Sequence, residues 1–352
     1  MDRREFLSGS ACAMAMSGID IALGDSYVNR PLSWGVLVHL GMNEWHEVPQ
    51  RQTWPNLTDP ALVKAVADEY NAADHVRFDE TVWRRVTDAF VKAGVNQIVI
   101  DLGEGVRYPS HPELAVKGSW SPDRLRVELR RLRMLGLEPV PKLNFSTTHD
   151  LWLGVYQRMV STRKYYQVVT DLIADVCEMF ECPRYFHLGM DEETVSLQGE
   201  GQSLVVVRQG DLWWHDLRFL VDAVEKSGAC AWVWSDRLCS HPKDEFFKNM
   251  PKSVVQSPWW YSGSLDPERN AVARSIVELA ESGYDVVPCG SNCFGQEDGL
   301  SRLVSYCKPR FDQSHLRGFL MAPWLEMNAV FERRLCAAAG QVCRAREKWV
   351  EI

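Results

Sequence analysis

Apolar positions along this chain switch between two periods. Eight short runs rich in Val, Ile, Leu, Tyr and Phe predict strands at residues 34–40, 97–102, 137–143, 185–188, 230–234, 254–257, 284–288 and 318–321. Between them, apolar residues recur every three or four positions. The stretch 77–93 carries Phe78, Val82, Val86, Phe90 and Val91 on one helical face, and 122–135 repeats Leu125, Leu129 and Leu132. Similar stripes over 165–179, 212–224, 267–280, 300–307 and 329–349 predict further helices. Gly94, Gly136, Gly228 and Gly283 stand at helix ends, where a left-handed residue caps the last turn. Only the link from the fifth to the sixth strand is thin, with a helical pattern confined to 244–250.

Strands alternating with helices in this number are the accounting of an α/β protein built as a TIM (β/α)8 barrel. A doubly wound sheet wants a Gly-rich phosphate turn after its first strand, and none follows residue 40. No linker, low-complexity tract or short repeat divides the chain, so residues 26–352 are predicted to form a single barrel domain. In such a barrel the chemistry gathers where strands end and the following loops begin.

Composition narrows the partners. The 352 residues include 39 Lys+Arg against 47 Asp+Glu, a net charge of −8, and 46% are hydrophobic. No basic block exists, which argues against nucleic acid, since binding it needs clustered cations to displace counterions. No uninterrupted apolar run reaches the ~18 residues of a membrane span. Tryptophan is abundant, at 14 residues, and flat rings with a polar edge suit stacking on sugars.

Residues 1–25 predict an address. Arg3-Arg4-x-Phe6-Leu7, a mildly apolar stretch and then Ala22-Leu23-Gly24 resemble a bacterial twin-arginine signal with its cleavage site. Such a signal implies the twin-arginine translocation machinery as a transient partner and a periplasmic or extracellular destination. The ten cysteines fit that route. Scattered and without a CxxC pair, they suit a protein that folds in the reducing cytosol before export, and they predict no disulfide framework. Cys289 and Cys293 are too isolated for a zinc site, and the sequence has no HxH or HExxH pair; no metal or cofactor is predicted.

The strand ends carry the candidate chemistry. The fourth runs into His187-Leu188-Gly189-Met190-Asp191-Glu192-Glu193. Adjacent residues of an extended segment point to opposite sides, so Asp191 and Glu192 are expected to do different work. Close negative charges and apolar walls raise a carboxyl's pKa, the condition a general acid near neutral pH needs. The eighth strand ends in Trp324-Leu325-Glu326, where a ring and a carboxylate are expected to face one side. The fifth ends in Trp232-Val233-Trp234-Ser235-Asp236, and the sixth in Ser257-Pro258-Trp259-Trp260-Tyr261. Tryptophans at three strand ends predict a ring-walled mouth, with Trp234, Trp259, Trp260 and Trp324 as candidate sugar contacts.

His187-x-Gly189-x-Asp191-Glu192 resembles the H-x-G-G-D-E signature of glycoside hydrolase family 20, the β-N-acetylhexosaminidases. Further pieces follow in order within residues 30–330. GVRYPSHPELAVKGSW precedes the third strand, Val140-Pro141-Lys142-Leu143-Asn144 with His149 closes it, and Trp324-Leu325-Glu326 closes the eighth. The resemblance implies a retaining hydrolase whose nucleophile is the substrate's own 2-acetamido oxygen, acting on a glycan or amino-sugar glycoside. By matching positions it implies Glu192 as general acid and then base, and Asp191 as the group that holds the acetamido N–H. Trp324 would wall the pocket and Glu326 would bind hydroxyls. Asn144, His149, Asp101 and His187 are further candidates for substrate contact, His187 being expected more as an anchor of the strand's hydrogen-bond network than as a sugar contact.

The likeness has gaps. Met42 stands about where the family's sugar-gripping arginine belongs, Lys142 and Asn144 replace its third-strand Glu and Asp, and Met190 replaces the second Gly of the signature. No tyrosine is evident after the seventh strand. Two alternatives stay open: a retaining glycosidase with Glu326 or Asp236 as protein nucleophile, and an exported sugar-binding protein without turnover. Long segments at 41–76, with Trp45, His46 and Trp54, and at 194–211, whose SLVVVRQ predicts a small hairpin, are expected to deepen the mouth and favour trimming from chain ends.

Overall fold

Strands apolar on both faces belong in a parallel sheet covered on both sides, and the first strand, SWGVLVH, is buried at every position. The computed structural model describes residues 31–50, 60–293, 297–312 and 314–351; the predicted signal at 1–25 and Trp54 lie outside them. Its strands are β1 (Ser33–His39), β2 (Gln97–Asp101), β3 (Glu138–Lys142), β4 (Tyr185–His187), β5 (Cys230–Trp234), β6 (Val255–Ser257), β7 (Cys289–Gly290) and β8 (Gly318–Met321). They are hydrogen-bonded in the order β6-β5-β4-β3-β2-β1-β8-β7, every pair parallel.

The two ends of that order meet. Bridges Gln256–Val286 and Trp259–Cys289 join the β6 and β7 regions, with backbone N–H groups of Val287, Cys289 and Trp260 donating to Gln256, Pro258 and Cys289 oxygens. The sheet is thereby rolled into a TIM barrel, and Ser33–Ile352 makes one compact unit. Helices of the expected spacing follow the strands. Asp79 caps Glu80–Lys92 through the N–H groups of Thr81 and Val82, and Ser121, Thr162 and Asn270 cap Pro122–Met134, Arg163–Met179 and Ala271–Glu281 in the same way. The thin link from β5 to β6 is filled by two short helices, Asp236–Ser240 and Lys243–Asn249.

Two expectations need correction. The seventh strand, expected at 284–288, has its regular ladder at Cys289–Gly290. Pro288 supplies no N–H, so the ladder breaks there and Val286 makes only isolated bridges to its two neighbours. The expected hairpin at 203–209 does not form. A helix, Val195–Gly201, precedes the segment, and side chains saturate its backbone instead of a partner strand. Gln198 takes both the N–H and the C=O of Val206, and Glu193 accepts from the N–H of Arg208.

The barrel interior follows the period of two. Leu37, Val99, Val140 and Tyr185 fill one layer of the core. One register row further on, His39 pairs with Asp101, Asp101 with Lys142, and Lys142 with His187, giving a polar layer buried under the mouth. Lys142 is wholly buried, with Asp101 as its ion-pair partner and Glu44 Oε1 3.4 Å away.

Candidate active site

At the C-terminal ends of the strands lies a cavity of about 390 Å³, in the range of small-molecule sites. Its walls are aromatic: Trp45, Tyr70, Trp234, Trp259, Tyr261 and Trp324. Trp324 joins two of them, with its ring centroid 5.8 Å from that of Trp234 and its Nε1 donating to the Tyr261 hydroxyl at 2.9 Å. Asp191, Glu192 and His149 form the acidic side, with Glu44 beside them and Glu200 at the exposed rim.

The turn that presents the acidic pair is kinked. Gly189, Met190 and Glu192 all have left-handed backbone (φ 69°, 70° and 54°), so this kink, and no simple alternation, separates Asp191 from Glu192. Gly189 is required there twice over. Besides its φ, a Cβ would fall 2.0 Å from Asn144 Oδ1 and 2.9 Å from Asn144 Cα. Asn144 uses that closeness: Oδ1 accepts from the N–H groups of Ser146 and Met190, and Nδ2 donates to Asp191 Oδ1 at 2.8 Å. Thr148 Oγ1 donates to the Glu192 carbonyl at 2.6 Å. Glu193 is turned away into an ion pair with the buried Arg208, which also pairs with Asp216 at 3.3 Å. The result is a rigid turn with the Asp191 side chain 11% exposed and that of Glu192 34% exposed.

His149 lies 3.5 Å from Asp191 Oδ2 and 3.3 Å from Glu192 Oε2 through Nε2. Burial opposes charge on this imidazole, but the two carboxylates outweigh it and its pKa is raised. Burial raises the pKa of Asp191, against the pull of His149, Lys142 and the Asn144 hydrogen bond. Burial and the nearby Asp101 hold the pKa of Glu44 well above the carboxylate range, against the pull of Lys142. Below, burial drives His39 down to about 4 and takes His187 well below its usual value. Among the described residues, two groups of donors stand close enough for a metal ion: His149, Asp191 and Glu192, and His39, Glu44 and Asp101. In the second, the Lys142 ammonium already supplies the cation. The first joins His149, in the segment after β3, to the adjacent Asp191 and Glu192, after β4.

No family model and no curated protein matches the sequence. Solved structures do. The exo-β-N-acetylglucosaminidase of Vibrio harveyi superposes with a TM-score of 0.56 at 13% identity, over 89% of this chain and 54% of that one. The family 20 β-N-acetylhexosaminidase of Streptomyces coelicolor gives 0.56 at 13%, over 88% and 64%. The chitobiase of Flavobacterium johnsoniae gives 0.54 at 18%, over 80% and 49%. The fold is that of glycoside hydrolase family 20. This chain spans about half to two-thirds of the length of those family 20 chains.

Against the family 20 pattern, the residues chosen from sequence divide into three groups. Asp191, Glu192, His149, Trp234, Trp259 and Trp324 line one cavity. Asn144 stands directly behind it, on Asp191. Asp101, His187, Trp260 and Glu326 do not reach it. Asp101 and His187 belong to the buried polar layer, and Trp260 is buried with Arg302 over its ring. Glu326 does not share a side with Trp324, because Trp324 itself has φ 54° and breaks the alternation. Its carboxylate is held by Arg77 at 3.0 Å and by Asn328. Asp236, the other candidate nucleophile, is behind the Trp259 ring, whose Nε1 donates to it at 2.8 Å. Met42 is buried and does not line the cavity; Glu44, two residues on, does. Sequence reasoning did not single out Glu44, Tyr70, Tyr261 or Glu200. Tyr261 stood in the sixth strand-end run, but Tyr70 and Glu200 lie far from any strand end and carry no local signal.

Proposed function

We propose that this chain is an exported glycoside hydrolase of the β-N-acetylhexosaminidase type, acting with retention through the substrate's 2-acetamido group. The observation that carries the reading is the Asp191–Glu192 pair, held rigid at the base of a tryptophan-walled cavity in a family 20 fold. The Vibrio harveyi neighbour was solved with N-acetylglucosamine bound, a sugar of the size and amphipathic character this cavity suits.

Glu192, the more exposed carboxyl, protonates the departing glycosidic oxygen while the acetamido oxygen attacks the anomeric carbon. Asp191, fixed by Asn144, accepts the acetamido N–H and steadies the positive charge of the oxazolinium. Glu192 then takes a proton from the water that opens it. The geometry disfavours a protein nucleophile. Glu326 and Asp236 are engaged with Arg77 and Trp259 outside the cavity lining.

The test compares aryl glycosides with and without the 2-acetamido group. Hydrolysis confined to the acetamido sugar, β-anomer appearing first by NMR, and strong inhibition by a thiazoline mimic are the expected results. Equal hydrolysis of the 2-amino or 2-hydroxy sugar would overturn the mechanism. Export rests on Arg3-Arg4. Replacing both with Lys should leave the protein in the cytoplasm; unchanged secretion would remove that part of the reading.

A further inference from the structure

Glu44 reaches the cavity from a turn whose backbone is fastened on both sides. The N–H of Met42 donates to Glu104 Oε1 at 2.9 Å, and that of Asn43 to both Glu104 oxygens at 3.1 and 3.2 Å. Asn43 is tied to Ala73 in both directions, Nδ2 donating to the carbonyl at 2.7 Å and Oδ1 accepting from the N–H at 2.9 Å. A Cβ on Gly41 would fall 2.6 Å from the Leu102 carbonyl oxygen, so the chain passes there only as glycine. The Glu44 side chain that this turn presents is 1% exposed, with Oε1 3.4 Å from Lys142 Nζ. Oε2 is buried and has no hydrogen-bond partner among the described residues, yet the side chain lines the cavity. Trp45, the next residue, lies edge-on to His149 at 5.9 Å and to Trp324 at 6.4 Å, so this segment borders the acidic turn on one side and the ring wall on the other.

A buried acceptor left without a donor is a cost that native proteins rarely carry, and here the donor can arrive only through the cavity. We infer that Glu44 grips a hydroxyl of the cleaved sugar and so decides which sugar is accepted. This rests on the glycosidase reading and adds a specificity residue to it. A hydroxyl suits Oε2 in either protonation state, because it donates to a carboxylate oxygen and accepts from a carboxylic acid. An ammonium group suits it less, since Lys142 already stands at Oε1 and would repel a second cation. Glu326, expected from the sequence to bind hydroxyls, is held outside the lining by Arg77 and Asn328. Lys142, wholly buried between Asp101 and Glu44, is a positioning residue that orients the Glu44 carboxyl from behind.

The experiment follows hydrolysis of aryl β-glycosides of the acetamido sugar and of its 3-deoxy, 4-deoxy and 6-deoxy forms, and measures binding of the corresponding free sugars by calorimetry. With the wild-type chain, one deoxy form should fall by about 10- to 100-fold in kcat/KM and in affinity, the loss expected when a buried polar group is stranded. With Glu44→Ala, that form and the parent sugar should differ by less than about threefold, while the other deoxy forms keep their wild-type ratios to the parent. A merely structural role would lower all the sugars together. Glu44→Gln keeps the shape of the side chain and serves if the alanine variant does not fold; its neutral amide should cut the discrimination by about threefold or more. Discrimination unchanged by substitution at Glu44, or no hydroxyl that matters in the wild type, overturns this inference and leaves the glycosidase reading standing. Hydroxyl-selective binding that depends on Glu44 but brings no cleavage supports it and overturns the glycosidase reading. Absence of both binding and cleavage with every sugar overturns both.

Discussion

Replacing Gly189 by Ala tests the packing on which the acidic turn depends. Two costs add. A residue with a Cβ pays roughly 1–2 kcal/mol to hold the left-handed φ found there. The Cβ also lands on Asn144, and forcing it into so filled a space costs about 1–3 kcal/mol more. The sum, about 2–5 kcal/mol, is to be measured by urea unfolding. At about 2 °C per kcal/mol for a chain of this size, it corresponds to a Tm lower by about 4–10 °C. A double-mutant cycle identifies the clash. Asn144→Ala alone loses three hydrogen bonds and strands Asp191 Oδ1, costing roughly 2–4 kcal/mol. In that background the new Cβ at 189 meets Cα of residue 144 at 2.9 Å but no longer its amide. Gly189→Ala should then cost at least about 1 kcal/mol less than in the wild type. Additivity within about 0.3 kcal/mol, or a Gly189→Ala protein as stable as the parent, would refute the close approach.

Other outcomes follow from the buried charges. Lys142→Met leaves Asp101 and Glu44 without their cation and should destabilise by about 3–5 kcal/mol. Urea unfolding at pH 7 measures it, and a variant within about 1 kcal/mol of the parent would contradict the buried pair. Burial pushes the Asp150 carboxyl up to about 7, so the unfolded chain ionises first and wild-type stability declines as pH rises from the ordinary carboxylate range through 7. Asp150→Asn removes that decline, and thermal melts should show the variant gaining on the wild type at pH 8 relative to pH 5; a constant difference would be a failure. For His149, the carboxylates overcome burial and raise its pKa, so its contribution is complete below the usual imidazole range and lost as pH rises through the raised value. An NMR titration should place its midpoint above about 6.5 and lower in Glu192→Gln. A midpoint unmoved by that substitution would mean ring and carboxylate are not in contact.

How much was legible in the sequence depends on how local the signal is. Strand and helix positions were readable because each carries its own period, and β5 and β8 match residue for residue. β7 slipped because Pro288 cuts a ladder that its apolar run extends. The hairpin failed because Gln198 and Glu193, from outside the segment, claim its backbone. At the site, Asp191, Glu192 and three tryptophans were found from their place at strand ends. Glu326 was misplaced because two-residue alternation presumes extended backbone, and Trp324 is left-handed. The polar layer of His39, Asp101, Lys142 and His187 arises from register across β1 to β4, which no single segment reveals.

The closing joint of the barrel has a consequence for ligands. Trp259 is at once a stave of the cylinder, bridged to Cys289 where its first and last members touch, and a panel of the chamber. Whatever stacks on that ring therefore also clasps the hoop. Occupancy and closure are thermodynamically linked, so a saturating sugar at a hundred times its Kd adds about 2.7 kcal/mol against unfolding, and amide exchange at Trp260 and Cys289 should slow with it.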